Sequence, residues 1–258
     1  MKKFTKEQLQ RYNRNILLKK MGKKGQEKLL ESKVIIIGVG GLGSSAAYYL
    51  AAAGVGTIGI VDADVVDLTN LQRQIIHSTN DLNVSKVTSA KSKIHALNPD
   101  VNVEVYNKRA TRSTIRDLIK DYEFVVDATD SFPSKYLVND ACYFENKPYS
   151  HAGVLGFNGQ TMTVIPNSTI CLRCLLPKIH SPDDAPSSAQ VGILGAVAGM
   201  MGTIQAAEVI KYLTGMGTLL TNRLLIIDAI DMSFRTMTLK RNRKCPLCGD
   251  SPIITELS

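Results

Sequence analysis

Apolar residues recur along this chain at two different spacings. Leu9, Tyr12, Ile16, Leu17, Leu29 and Leu30 fall at helical intervals and predict helix across residues 5–31, broken around Gly22 and Gly25. Lys33-Val34-Ile35-Ile36-Ile37 follows as an unbroken β-branched run, the type that a parallel sheet buries on both faces. A glycine turn then leads into a small-residue helix from Ser44 to about Ala53, and residues 57–62 form a second strand ending in an acid. The alternation continues with helix over 85–97, closed by Asn98-Pro99, and strand over 101–106. Helix over 113–120, strand over 123–130 with acids at its end, helix over 134–145 and a strand from Pro148 complete the first half.

Beyond residue 150 the rhythm changes. Strands are expected at 159–165, 223–228 and 234–239, with a long Gly/Ala/Met-rich helix over roughly 191–213 between the first two. Residues 177–190, proline-containing and polar, are expected to form a mobile loop. Strand and helix alternating across short turns imply an α/β fold: a doubly wound, Rossmann-like parallel sheet that continues into a mixed or antiparallel C-terminal half.

Composition narrows the class. No apolar run reaches the ~18–20 uncharged residues of a membrane span, and the polar start lacks the apolar core of a secretory signal. A cytoplasmic protein is expected. Lys and Arg number 31 against 23 Asp and Glu, a net charge of +8, which favours an anionic ligand or an acidic partner. The basic residues are scattered apart from 240–244, and there is no Trp or aromatic platform, which argues against nucleic acid as the principal partner.

The chemistry begins at Gly38-Val39-Gly40-Gly41-Leu42-Gly43, directly after a strand and opening a helix. Glycines there let the backbone approach a phosphate at the positive end of the helix, and Asp62 can hydrogen-bond a ribose hydroxyl. Dehydrogenases and ATP users share that pattern. Asn70, Arg73 and Lys86 separate them, because a hydride-transfer site has no use for such groups around a polyphosphate. An adenylation site does: its attacking carboxylate and α-phosphate are both anionic, and cations must offset their repulsion. Arg73 and Lys86 suit that role, and Asp130 could hold the magnesium that neutralises leaving pyrophosphate. The plain structural alternatives are surface salt bridges for Arg73 and Lys86 and a strand-end cap for Asp130.

Four of the five cysteines form two Cys-x-x-Cys pairs, Cys171 with Cys174 and Cys245 with Cys248. Two matching knuckles favour a closed, tetrahedral and therefore structural zinc site over a redox pair. Cys142, beside Tyr143 and Phe144, reads as a buried packing residue.

The combination of Gly-x-Gly-Gly-x-Gly, Asp-x-Asp-x-Val, Asn-Leu-Gln-Arg-Gln, Lys86 and Ala-Thr-Asp resembles the bacterial ubiquitin-activating-like adenylyltransferases of molybdopterin and thiamine synthesis. The resemblance runs from Arg11 to Gly249. It implies adenine and ribose beside Gly41 and Asp62 with Asp64 nearby, triphosphate at Asn70, Arg73 and Lys86, and magnesium at Asp130. It implies the same zinc site, a homodimer in which Arg14 reaches into the partner subunit's site, and a small ubiquitin-like sulfur-carrier protein ending in Gly-Gly as substrate. The expected organisation is a single adenylation domain over 1–258: N-terminal helices at 1–32, a nucleotide-binding half at 33–150, and a carrier-binding half with a zinc-tethered cap at 151–258. Related rivals are adenylation of a peptide or a tRNA base; a nicotinamide oxidoreductase and a non-catalytic scaffold are more distant.

One departure stands out. Many relatives carry a cysteine in the loop after the first knuckle, where Ser187 or Ser188 falls here, and no cysteine lies between Cys174 and Cys245. A serine hydroxyl is a poor substitute for a thiolate, so chemistry is expected to stop at the acyl-adenylate. No fused sulfurtransferase domain is expected after Cys248.

Overall fold

The computed structural model describes residues 4–177 and 188–257, with residues 188 and 189 described by their backbone alone. Ser187 therefore lies outside the described residues, as does most of the loop expected at 177–190. The N-terminal segment is three short helices, α1 (Lys6–Arg11), α2 (Asn13–Ile16) and α3 (Gly22–Glu31). The break falls at 17–21, not at Gly22 and Gly25, which both lie within α3. Leu17, counted at helical spacing, is exposed, as is its neighbour Leu18, so no apolar stripe carries the helix through them. Tyr12 is buried and its hydroxyl accepts a hydrogen bond from the Asn98 side chain at 2.9 Å, fastening this segment to the body.

Five parallel strands follow: β1 (Lys33–Ile37), β2 (Thr57–Val61), β3 (Asn102–Tyr106), β4 (Phe124–Asp127) and β5 (Tyr149–Leu155). They are joined by α4 (Gly41–Ala53), α5 (Lys86–Leu97), α6 (Ile115–Ile119) and α7 (Phe132–Phe144). The antiparallel part consists of β6 (Asn158–Val164), β7 (Arg223–Asp228) and β8 (Ser233–Thr238), interrupted by α8 (Leu172–Leu175), α9 (Ser188–Val191) and α10 (Gly195–Thr214). All eight strands form one sheet in the order β3-β2-β1-β4-β5-β6-β7-β8.

Alternate residues of the central strands bury opposite faces. Val34, Ile36, Phe124 and Val126 pack with α4, α5 and α10; Ile35, Ile37 and Val125 pack with α6 and α7. Such two-sided burial is why the central strands read as continuous apolar runs. Two boundaries shift usefully. Helix α4 begins at Gly41, three residues before the expected Ser44, so the glycines themselves form its first turn. Helix α10 begins at Gly195, because residues 192–194 instead bond along Gly156: Gly156 donates to the Gly192 carbonyl at 2.9 Å and Leu194 donates to that of Gly156 at 3.0 Å.

Successive connections leave β1 towards β2 and β4 towards β5, in opposite directions along the sheet. The crevice beyond the carboxyl ends of β1 and β4 is the topological switch point, where open α/β sheets bind ligands.

Candidate active site

The glycine turn occupies that switch point. Gly38 has φ +94°, and a Cβ there would stand 2.8 Å from the Ala128 carbonyl oxygen at the end of β4. A Cβ on Gly43 would collide with the Gly38 carbonyl, so the turn can close this tightly only with glycine at both positions. Gly40 is the N-cap of α4 and offers no side chain, leaving the first backbone donors of a thirteen-residue helix uncapped. Uncapped donors at a positive helix end fit an anionic phosphate.

Three connections run outward from the turn. The first passes through Asp62, whose carboxylate accepts from the Val39 N–H at 3.0 Å and from the Asp64 N–H at 2.9 Å. Asp64 in turn pairs with Lys86 at 3.0 Å. Lys86 opens α5, is only 6% exposed and has its own N–H bonded to the Asp64 carbonyl at 3.0 Å. Its partner carboxylate is 54% exposed and also has Arg109 at 3.8 Å. Lys86 is therefore no surface salt bridge but a buried ammonium paired, among the described residues, with one half-open counter-ion.

The second connection is steric. A Cβ on Gly41 would lie 3.6 Å from Arg73 Cγ and 3.0 Å from Ala198 Cβ, so Arg73 packs directly against the helix start. The Arg73 guanidinium donates to the Thr69 carbonyl at 3.1 Å. That carbonyl belongs to a short 3-10 turn, Leu68–Asn70, in which Asp67 caps the Thr69 N–H and the Asn70 side chain accepts weakly from the Asp67 N–H at 3.4 Å. The third connection is the Ala128–Asp130 segment, which leaves β4 beside Gly38 and carries Asp130 exposed at its end. Arg14 is also exposed, on α2.

Two buried groups escaped the reading of the sequence. His77 spans the back of the turn: Val39 C=O, an acceptor, faces Nε2 at 3.2 Å and Ser89 Oγ faces Nδ1 at 2.9 Å. The proton therefore rests on Nε2, and burial keeps the ring neutral by lowering its pKa. Under β4 lies the second group, Asp127 with Lys135 and His151. Burial alone would push the Asp127 carboxyl up; the Lys135 ammonium at 3.5 Å, the His151 ring at 3.0 Å and the Thr129 hydroxyl outweigh it and hold the carboxyl at about 2. His151 is pushed down by burial, its Nδ1–H given to that carboxylate and its Nε2 buried without a partner among the described residues. Asp127 could have been found as a charge at a strand position that every neighbour marks as core.

The four cysteines of the two knuckles converge behind α7. Their Sγ atoms lie within 4.8 Å of one another, with Cys171 at 3.4 Å from Cys248 and 3.6 Å from Cys245, and Cys174 at 3.3 Å from Cys248. Disulfide sulfurs would be about 2.05 Å apart, whereas thiolates at about 2.3 Å around one tetrahedral zinc lie a little under 4 Å apart. The cluster fits zinc. Its first knuckle is bolted to α7: Arg173 forms a bidentate pair with Asp140, both bonds 2.7 Å, and stacks on Tyr136, while Asn139 accepts from the Leu172 N–H at 2.8 Å. Cys142 is wholly buried and its thiol is pushed up by that burial, as a packing residue should be.

Fold and site together define an α/β protein with a glycine turn suited to a nucleotide phosphate and, at its back, four cysteines placed to hold a metal ion. No helix among the described residues is long and apolar enough to cross a membrane. Residues 12–247 match the ThiF family, and the chain belongs to that family. It is 43% identical over 246 residues to the SAMP-activating enzyme E1 of Haloferax volcanii, which spans 95% of this chain and 91% of that protein. It is 41% identical over 261 residues to the sulfur carrier protein adenylyltransferase of Thermus thermophilus, covering 99% and 96% of the two chains. Among solved structures, E. coli MccB shares the fold with a TM-score of 0.83 over 93% of this chain and 74% of that one, at 24% identity.

Proposed function

We infer that this protein is an ATP-dependent adenylyltransferase that activates the C-terminal carboxylate of a small ubiquitin-like sulfur carrier ending in Gly-Gly. The products are carrier-adenylate and pyrophosphate. What carries the reading is that Arg73 packs on the glycine turn, Lys86 joins it through Asp64 and Asp62, and Asp130 follows two residues after Ala128 beside it, in a chain 41% identical to a sulfur carrier protein adenylyltransferase.

The chain's own groups divide the work. The uncapped start of α4 receives phosphate, and Asp62, already fixing the turn, offers the carboxylate edge for a ribose hydroxyl. Lys86 and Arg73 lower the repulsion between the incoming carboxylate and the α-phosphate, and Asn70 adds a neutral donor for the triphosphate. Asp130 is exposed and offers hard carboxylate oxygens that would hold a magnesium ion carried by the nucleotide. A magnesium ion held there would supply positive charge for the leaving pyrophosphate. Zinc held by the four thiolates would have no open position and would tie the C-terminal knuckle to the first knuckle beside α7.

A homodimer completes the site. Asn15, next to Arg14, lines a shallow cavity of about 270 Å³ with Tyr49, Ala52, Thr203 and Ile210, and exposed Leu17 and Leu18 adjoin it in sequence. A second copy covering this apolar surface would receive Arg14 into its site. The unpaired thiols of the metal cluster suit a reducing compartment, the cytoplasm.

The test is exchange of labelled pyrophosphate into ATP, with purified molybdopterin-type and thiamine-type carriers offered separately and each product weighed by mass spectrometry. Exchange that requires a carrier with an intact Gly-Gly end supports the assignment and names the pathway. Exchange indifferent to the carrier, or driven by a peptide or tRNA instead, overturns it.

A further inference from the structure

Where β4 stops, β5 continues. The last register pair is Asp127 with His151, after which the chain of β4 turns away while β5 runs on to Leu155. The carbonyls of Thr129 and Ala152 are left facing a widening gap between the two strands. Lys135 fills it. Its ammonium donates to the Thr129 oxygen at 2.6 Å and the Ala152 oxygen at 2.6 Å, with the Asp127 carboxylate as its counter-ion at 3.5 Å. Two of its N–H groups go to backbone carbonyls, the carboxylate balances the charge at ion-pair distance, and the cation is 7% exposed.

The placement is costly in itself. Lys135 is the fourth residue of α7, where a cation opposes the helix dipole, and burial of an ammonium is tolerated only when it is paired. Ordinary helix stability does not call for it. The same carboxylate that balances Lys135 also accepts from the Thr129 N–H at 3.1 Å and the Thr129 hydroxyl at 2.6 Å. Thr129 is thus gripped at its carbonyl, its amide and its side chain, and the next residue is Asp130.

We propose that Lys135, balanced by Asp127, is a positioning residue: it fixes the Thr129–Asp130 turn so that the Asp130 carboxylate meets a divalent ion carried by bound nucleotide. The inference rests on the reading of Asp130 as the metal ligand. It does not depend on which carrier is adenylated. Supporting groups behind a metal ligand typically govern metal affinity by about 10–100-fold.

The experiment uses manganese as the probe. Electron paramagnetic resonance of free Mn²⁺ measures how much ion the protein retains with ATP, and calorimetry in chelator measures ATP binding without metal. In Lys135→Met, Mn²⁺ retention with ATP weakens by about tenfold or more, while metal-free ATP binding stays within about twofold of wild type. Lys135→Arg, which restores a cation able to reach the same acceptors, recovers most of the loss. Thr129→Val, which deletes only the hydroxyl arm, weakens retention in the same direction and serves as the measure if Lys135→Met does not fold. A folded Lys135→Met protein, or a Thr129→Val protein, that holds Mn²⁺ with ATP as tightly as wild type overturns the proposal. So does equal loss of metal-free and metal-bound nucleotide. A wild-type protein that retains Mn²⁺ with ATP yet adenylates no carrier fails the adenylation reading alone.

Discussion

Lys86 and Asp64 stand 3.0 Å apart across the mouth of the site, the lysine buried and the aspartate half open to solvent. The asymmetry sets the consequences of breaking the pair from either side. Removing Lys86 deletes the buried charge that, on the proposed reading, faces the reacting phosphate. Pyrophosphate exchange should fall by about 100-fold or more in Lys86→Ala, with the fold intact by circular dichroism. Asp64→Ala leaves a buried ammonium without its partner, so it should lower the melting temperature while costing less exchange. Equal exchange in Lys86→Ala and wild type would remove the lysine from the mechanism.

Arg14 and Lys86 should belong to one site contributed by two subunits. Arg14→Ala and Lys86→Ala proteins would each be nearly inactive alone, yet random mixing of the two after dissociation should restore about a quarter of wild-type exchange. Half of the dimers are then mixed, and each has one complete site. Mixtures no more active than their parents would place Arg14 outside the partner's site.

The path from sequence to site was uneven. The parallel half was readable because its strands are buried on both faces and leave continuous runs such as Val34-Ile35-Ile36-Ile37. The glycine turn, the acids after β2 and the cysteine knuckles were readable because each chemistry demands a fixed spacing along the chain. The start of α4 lies three residues earlier than expected because glycine carries a poor helix propensity, which the close approaches of Gly41 to Ala198 and of Gly43 to the Gly38 carbonyl override. Lys135 and His151 were invisible for a different reason. Their partners are backbone carbonyls and one carboxylate brought together only by the divergence of β4 from β5. No spacing announces that.

Acid should weaken the fold in two stages. An unfolded histidine takes up a proton near pH 6.5, but burial holds His77 and His151 neutral to lower pH, so the unfolded state binds more protons as the pH falls below about 6.5. Stability then declines with a slope of up to about 1.4 kcal/mol per pH unit for each such ring. Asp127 adds a second loss: its stabilising contribution is complete above the unfolded carboxylate value and disappears as pH falls from about 4 to about 2. Urea unfolding at pH 7, 6 and 5 should show the first stage, and His151→Gln should flatten it. An unchanged slope in that variant would assign the effect elsewhere.

Metal removal should act on stability rather than directly on chemistry. Cys174→Ser or a strong chelator should release about one zinc per chain by elemental analysis and lower the melting temperature by about 5–15 °C, reflecting a few kcal/mol in a chain of this size. Asp140→Ala should produce a comparable loss with the zinc still bound. It leaves the Arg173 guanidinium buried and unpaired, a defect that typically costs about 3–5 kcal/mol. Zinc lost on Asp140→Ala at the same rate as in Cys174→Ser would mean that the ion pair, not the thiolates, governs metal retention.

The carrier should leave this chain as an adenylate and never as a thioester to it. Four of the five cysteines point their sulfurs at one another in the metal cluster, and Cys142 is sealed in the core with its thiol pushed up by burial. The segment between Cys174 and Cys245 has serine at 187 and 188 and no cysteine at all, so no accessible thiolate stands ready to displace AMP. Incubation with carrier, ATP and magnesium, quenched in acid without reductant, should give carrier-adenylate as the sole activated species by mass spectrometry. Thiol donors added afterwards should discharge it directly in solution, at a rate set by the donor's concentration. Detection of a reductant-sensitive carrier–enzyme conjugate would show that one of the cluster cysteines can leave its site and act as a nucleophile.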